Sequence, residues 1–157
     1  IHVWPYESLD ERNSIRAEAV KDPNWPPPND PAMYVSMESE IFIPAPFMRP
    51  LGGDQALGNV YEMRIYTYKT GSMPQVIKLW AESVPHREKL SPLAAAMHTE
   101  IGGLNKWVHI WPYKDLEERA RIRAESIKSP HWPPATREFL VKQENKLLVP
   151  AAFSPMH

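Results

Sequence analysis

At 157 residues, the chain can hold one ordinary domain or two very small ones, and 43% apolar with 24% charged residues is a globular composition. A net charge of −1 gives no electrostatic case for binding nucleic acid or an anionic membrane. No apolar run approaches the roughly eighteen residues of a bilayer span, and the absence of cysteine excludes disulfides, a thiol nucleophile and thiolate-bound metal.

In chain order, residues 1–6 read as a strand. A helix follows over 8–22, started by the capping pair Ser8-x-x-Glu11, and a second strand spans 33–43. Residues 48–59 (MRPLGGDQALGN) read as a linker. From 60 to 68 the chain alternates and is rich in aromatic and β-branched types, a strand that Gly71 breaks. Ser72-x-x-Gln75 is a capping-box signature. Val76, Leu79, Trp80 and Ser83/Val84 then recur at helical spacing to about Lys89, with Pro85 inside and Ser91-Pro92 as the stop. Strands are expected over 96–101 and 106–113 around the turn Gly102-Gly103-Leu104-Asn105. Asp115-x-x-Glu118 starts another helix with the stripe Leu116, Ala120, Arg123/Ala124 and Ile127. Pro130 closes it, and a last strand spans 139–149.

The chain says one thing twice. His2-Val3-Trp4-Pro5-Tyr6 returns as His109-Ile110-Trp111-Pro112-Tyr113, and sixteen of the twenty-seven positions in 2–28 are identical to 109–135. After a one-residue slip, Ile43-Pro44-Ala45-Pro46-Phe47 matches Val149-Pro150-Ala151-Ala152-Phe153. A period this long is a duplicated domain and not a solenoid unit. Residues 1–47 read as the back half of one domain (strand, helix, strand), and 60–157 as a complete second copy. The complete copy has the order strand-helix-strand-strand-helix-strand, the ferredoxin-like split arrangement of an α+β protein. Half a domain buries too little by itself, so the first copy is expected to need its front half or a partner.

Val60-Tyr61-Glu62-Met63-Arg64-Ile65-Tyr66, Thr99-Glu100-Ile101-Gly102-Gly103-Leu104-Asn105 and Trp107-Val108-His109-Ile110-Trp111-Pro112-Tyr113 resemble the "YELRxY", "TEIGxLN" and "VHxWxY" signatures of the NIPSNAP family. The resemblance covers 59–156, with 1–47 matching the family's back half. It implies a dimeric α/β barrel, in which two ferredoxin-like sheets close face to face between chains or tandem copies. Its eukaryotic members are similar to mitochondrial-matrix proteins linked to vesicle traffic and mitophagy signalling. The implied compartment is mitochondrial in a eukaryote and cytoplasmic in a bacterium, and the implied partners are further copies or other proteins. A non-enzymatic oligomeric binding or scaffold module is the favoured function.

Strand alternation sorts the candidate chemistry by face. Glu62, Arg64, Tyr66 and Tyr68 share one side; Trp107, His109, Trp111 and Tyr113 share another; Glu100 is a candidate to join them. In the first copy His2, Trp4 and Tyr6 take the parts of His109, Trp111 and Tyr113. The apolar sides are expected to meet the helices and the polar-aromatic sides to line a barrel interior. Such an interior is either a small-ligand pocket or a set of structural ion pairs. In the ligand alternative the resemblance implies cofactor-free oxygenation, lyase-like or haem chemistry, with His109 as acid/base or axial ligand and Arg64 on an anionic group. Arg12/Arg16 and Arg119/Arg123 form repeated helical pairs, either a surface for a partner's acidic groups or, as the favoured reading, a solvated helix face supported by Arg121/Glu125 pairing. His86, His98 and His131 lack metal-ligand spacing. Trp25-Pro26-Pro27-Pro28 and its duplicate at Trp132 read as a lid over a helix end. Leu51-Gly52-Gly53-Asp54 lacks the lysine of a phosphate loop.

Overall fold

The computed structural model describes residues 1–28, 30–51 and 55–156, so part of the 48–59 linker, including Gly52, Gly53 and Asp54, lies outside the described residues. The chain divides into two units, Ile1–Ser39 and Glu40–His157.

In the first unit the one regular helix is α1, Leu9–Ala19, started by Ser8, whose hydroxyl accepts from Glu11 N–H at 3.0 Å. No residue of α1 is buried. Trp4 and Trp25 meet edge to face, 6.1 Å between centroids. Two expectations fail here. Residues 1–6 form no strand, since a strand needs a neighbour to take its backbone hydrogen bonds and this unit contains none. The 33–43 strand shrinks to β1, Ile41–Pro44, which belongs to the second unit. Ahead of it Asp30 caps a one-turn helix, Pro31–Met33, by accepting from Ala32 N–H at 2.9 Å.

The second unit has the order β1, β2 (Val60–Tyr68), α2 (Met73–Arg87), β3 (Ala95–Ile101), β4 (Lys106–Tyr113), α3 (Leu116–Ser126) and β5 (Leu140–Leu148). Its strands form one antiparallel sheet in the order β1-β3-β4-β2-β5. Register sets Arg64 opposite His109 and Glu62 opposite Trp111, so the two predicted side-chain sets do share one face. The turn between β3 and β4 uses Gly102 and Asn105 at positive φ, 110° and 61°. Ser72 starts α2 without a side-chain cap. Its hydroxyl donates to the Lys69 carbonyl at 2.6 Å instead of closing the expected capping box.

The faces are the reverse of the expected ones. Val76, Trp80 and Val84 of α2 and Ile122 of α3 pack on Tyr68, Trp107, Trp111 and Tyr113, so the helices cover the polar-aromatic side. The apolar side, with Tyr61, Met63, Met97, Val108 and Ile110, continues into Phe42 of β1 and Leu148 of β5 and is packed by Met48, Leu51, Leu57 and Met156. Tyr61 fastens that cover. Its hydroxyl accepts from Leu57 N–H at 3.1 Å, and its single proton is shared between the carbonyls of Met156 (2.9 Å) and Gln55 (3.1 Å). The α3 stripe also differs, with Ile122 and Ser126 buried while Leu116 and Ile127 face out.

Gly58 sits where the 55–59 segment crosses the end of β4. A Cβ there would lie 2.6 Å from the Tyr113 carbonyl oxygen and 2.9 Å from its nitrogen, backbone atoms with little room to yield. Gly58→Ala is expected to lower stability by about 1–3 kcal/mol, as overpacking does. Urea unfolding checks this, and an unchanged midpoint would mean that the segment shifts freely.

Candidate functional site

A cavity of about 240 Å³ opens between the helix-covered face of the sheet, α2, α3 and the loop 132–136. Strand β2 contributes Arg64 and Tyr66, β4 His109, Trp111 and Tyr113, α2 Trp80 and Arg87, and α3 Arg123. The lid is Trp132-Pro133-Pro134, held by Thr136, whose hydroxyl bonds the Tyr68 hydroxyl at 2.8 Å. Trp132 meets Trp80 and Trp111 edge to face at 5.5 and 5.6 Å, so its ring stands near a right angle to each of the two.

Glu62 underlies this site and is wholly buried. It accepts from Arg119 at 2.7 Å, Arg123 at 3.4 Å, Arg64 at 3.5 Å and Asn145 at 3.3 Å. Burial alone raises this carboxyl. The Arg119 hydrogen bond and the Arg123 and Arg64 charges outweigh it and set the group below its ordinary 4.5. Arg119 and Arg123 therefore do not form a solvated face. With Ile122 and Ser126 they make the inward stripe of α3, while Arg121 pairs with Glu118 and not Glu125. Their recurrence as Arg12 and Arg16 around Ile15, the equivalent of Ile122, was the available sequence signal.

Arg87 is 3% exposed, and among the described residues it has no carboxylate partner within ion-pair distance. It donates to Ser91 Oγ at 3.1 Å and Tyr113 Oη at 3.2 Å, and its guanidinium lies 4.4 Å from the Trp111 ring centroid. Burial pulls its pKa down against the Tyr113 contact, yet an arginine keeps its charge.

His109 is 2% exposed. Trp111 Nε1 donates to its Nδ1 at 2.8 Å. An indole N–H is only a donor, so Nδ1 holds a lone pair and the neutral ring carries its proton on Nε2. That Nε2 has no protein partner. Burial first, then the charges of Arg64, Arg123 and Arg87, keep the imidazole well below its ordinary 6.5. Tyr66 meets the ring edge to face at 4.9 Å, and burial raises its phenol against the opposing charge of Arg64.

Of the residues singled out in the sequence, Glu62, Arg64, Tyr66, His109 and Trp111 come together here. Trp107 sits in the core against Trp80 at 5.4 Å and does not line the cavity. Glu100 is exposed near the end of β3 and takes no part. His2 and Trp4 are exposed in the first unit. His86 and His131 stack at 4.1 Å, a pair invisible in sequence spacing. Among the described residues no group of three or more metal-ligating side chains converges, and no helix is long and apolar enough to cross a membrane. Haem does not suit the cavity. Its volume lies below the roughly 300–1,000 Å³ of sites for drug-sized ligands, and the His109 nitrogen left free of protein partners is the protonated one.

The NIPSNAP family model matches residues 1–49 and 61–155. The chain belongs to the NIPSNAP family. It is 30% identical to human Protein NipSnap homolog 3A over 168 residues, covering 99% of this chain and 65% of that protein. It is 33% identical to Protein NipSnap homolog of Dictyostelium discoideum over 109 residues, 68% of this chain and 49% of that protein. The chain thus spans less than two thirds of these NIPSNAP relatives. Among solved structures, a NIPSNAP family protein of unknown function from Agrobacterium tumefaciens aligns with TM-score 0.60 at 34% identity, over 64% of this chain and 96% of that one. An uncharacterized NIPSNAP domain protein from Burkholderia xenovorans aligns with TM-score 0.57 at 32% identity, over 61% and 98%. The segments that carry the NIPSNAP resemblance supply β2 and β4, hence Glu62, Arg64, Tyr66, His109 and Trp111 of the site.

Proposed function

We propose that this NIPSNAP chain is a non-enzymatic binding module whose cavity takes a small organic anion. The buried Arg87, which makes no direct ion pair among the described residues, carries this reading. Three arginines (Arg64, Arg119 and Arg123) share a single carboxylate, Glu62, Arg87 makes no ion pair among the described residues, and no acidic side chain lines the cavity. A buried guanidinium without a direct ion-pair partner is costly, and an anionic ligand offsets that cost. Acid–base catalysis finds less support. Glu62 is saturated by donors, and the one lone pair of the His109 ring is occupied by Trp111.

The experiment is calorimetric titration of the purified protein with benzoate and with inorganic phosphate, alongside native mass spectrometry for a co-purified ligand. An anion binds the wild-type protein, and Arg87→Met weakens it about tenfold or more, as loss of a charge-assisted hydrogen bond does. Without ligand Arg87→Met melts no lower than wild type, because replacing a buried charge by an apolar chain of similar volume is often neutral or stabilising. Neither anion binding, together with a clean native mass, would overturn the reading.

A second reading concerns assembly. Residues 41–44 correspond in the repeat to 147–150, and they add to this sheet beside β3. We read the second unit as ferredoxin-like and β1 as a strand lent by the repeat copy in residues 1–47, the exchange by which tandem or separate copies build a dimeric α/β barrel. Size-exclusion chromatography with light scattering tests it. Pro44→Asp at that edge is expected to reduce any association, and an unchanged assembly counts against strand exchange.

A further inference from the structure

Among the described residues, the buried side-chain atoms without a hydrogen-bond partner are Arg64 Nε, Trp80 Nε1, Trp107 Nε1, His109 Nε2 and Arg119 Nε. Four are N–H donors by chemistry, and His109 Nε2 becomes the fifth through the Trp111 hydrogen bond. No acceptor is orphaned among the described side chains. Three of the donors, on Arg64, Trp80 and His109, belong to residues that line the cavity; the Trp80 indole also lies close enough to act on the Tyr68 hydroxyl, which leaves His109 Nε2 and Arg64 Nε as the clearer cases. A buried donor without a partner costs free energy, so the cavity calls for a ligand rich in acceptors.

The arrangement around His109 fixes what it can offer. Arg64 and Tyr66 face it from β2, Arg87 from α2 and Arg123 from α3, with Trp80 4.4 Å away ring to ring. The charged groups of this set are all cations, and none accepts the Nε2 proton. The walls are flat. Trp132 stands at 89° to Trp80 and at 84° to Trp111, so its ring edge and their ring faces present flat surfaces suited to a planar body. The small volume limits that body to about one ring, well under a drug-sized ligand.

We infer that His109 is the specificity-determining donor of this pocket: Trp111 holds it as the neutral Nε2–H tautomer, and it donates to an oxygen of a planar carboxylate whose charge the arginines balance. The inference rests on the small-anion reading and deepens it. A neutral imidazole donor selects an unprotonated oxygen and rejects a cationic group, and it keeps that role through neutral pH.

The test uses 15N-labelled protein and three probes of one shape, benzoate, benzamide and benzylamine, with inorganic phosphate as a fourth. At pH 7 the His109 resonances are expected to report a bare Nδ1 and a protonated Nε2, with Nε2 shifting on benzoate addition. Benzoate binds best, benzamide about tenfold or more weaker, and benzylamine not measurably. His109→Leu lowers benzoate affinity about tenfold or more, whereas His109→Gln, which retains an N–H donor, recovers most of it. Equal benzoate affinity in wild type and His109→Leu, or an Nδ1–H tautomer, overturns the inference while leaving the small-anion reading intact. Phosphate binding more tightly than benzoate overturns the planar-carboxylate class alone. Binding of neither overturns both. If His109→Leu does not fold, the tautomer and the benzoate-induced Nε2 shift in the wild-type protein decide.

Discussion

Replacing Glu62 by Ala is expected to remove about 3–5 kcal/mol of stability, the range for breaking a buried pair and stranding its charges. The carboxylate is the shared acceptor of Arg119, Arg123 and Arg64, and its loss leaves three guanidinium groups repelling one another over one patch of sheet. Arg119 and Arg123 keep some contact with water, 23% and 42% exposed, which favours the lower end of that range. Glu62→Gln keeps the shape without the charge, so it separates charge loss from cavity formation. The pH profile supplies the sign. Glu62 sits below its ordinary 4.5 in the folded protein, so its contribution is complete above that value and is lost as pH falls through the folded-state one. His109, held below its ordinary 6.5, adds a second acid limb. The unfolded chain takes up a proton there that the folded chain refuses, and stability declines from about 6.5 downward. Denaturant midpoints measured from pH 7 to pH 3 should show both limbs in the wild type and only the upper one in Glu62→Gln. A variant profile parallel to wild type below pH 4.5 would mean that Glu62 is not the buried anchor of these arginines.

These expectations depend on a face that the sequence describes only partly. Alternation correctly groups Glu62 with Arg64 and Tyr66, and Trp107 with His109, Trp111 and Tyr113, because side-chain period in a strand is a local property. It does not say which face the helices will choose. The usual rule sends the apolar side to the helices, and here Trp107, Trp111, Tyr113 and Tyr68 supply enough ring surface for α2 and α3 to pack on the other side. The apolar side is then satisfied by Met48, Leu51, Leu57 and Met156. Those residues come from segments without periodicity, so no pattern announced them. The arginines of α3 fail for the same reason. Arg119 and Arg123 look like a solvated pair until the carboxylate of Glu62 lies beneath them, 57 and 61 positions away in sequence. Strand boundaries fared better in the second unit, where each expected strand finds a neighbour, than at residues 1–6, which find none.

Trp80→Ala is expected to be about as damaging as loss of Glu62, by a different route. Trp80 is 2% exposed and sits where Trp107, His109 and Trp132 converge, at centroid distances of 5.4, 4.4 and 5.5 Å. Truncation removes the ring that joins α2 to both the sheet and the lid, and large-to-small changes of this kind cost about 3–5 kcal/mol. Trp80→Phe retains part of the contact and should cost less than Trp80→Ala. The alanine variant also distinguishes collapse from persistence of the site. If Trp107, Trp132 and His109 hold their positions, the vacated volume joins the existing cavity and admits an indole-sized apolar guest. Added indole then raises the melting temperature of Trp80→Ala and leaves wild type unchanged, by the linkage between ligand binding and folding. If indole has no effect on the variant, the lid has closed onto β4, and benzoate affinity should disappear with it. The first outcome marks Trp107, Trp132 and His109 as a frame that holds its shape without Trp80; the second marks Trp80 as the residue that keeps the site open.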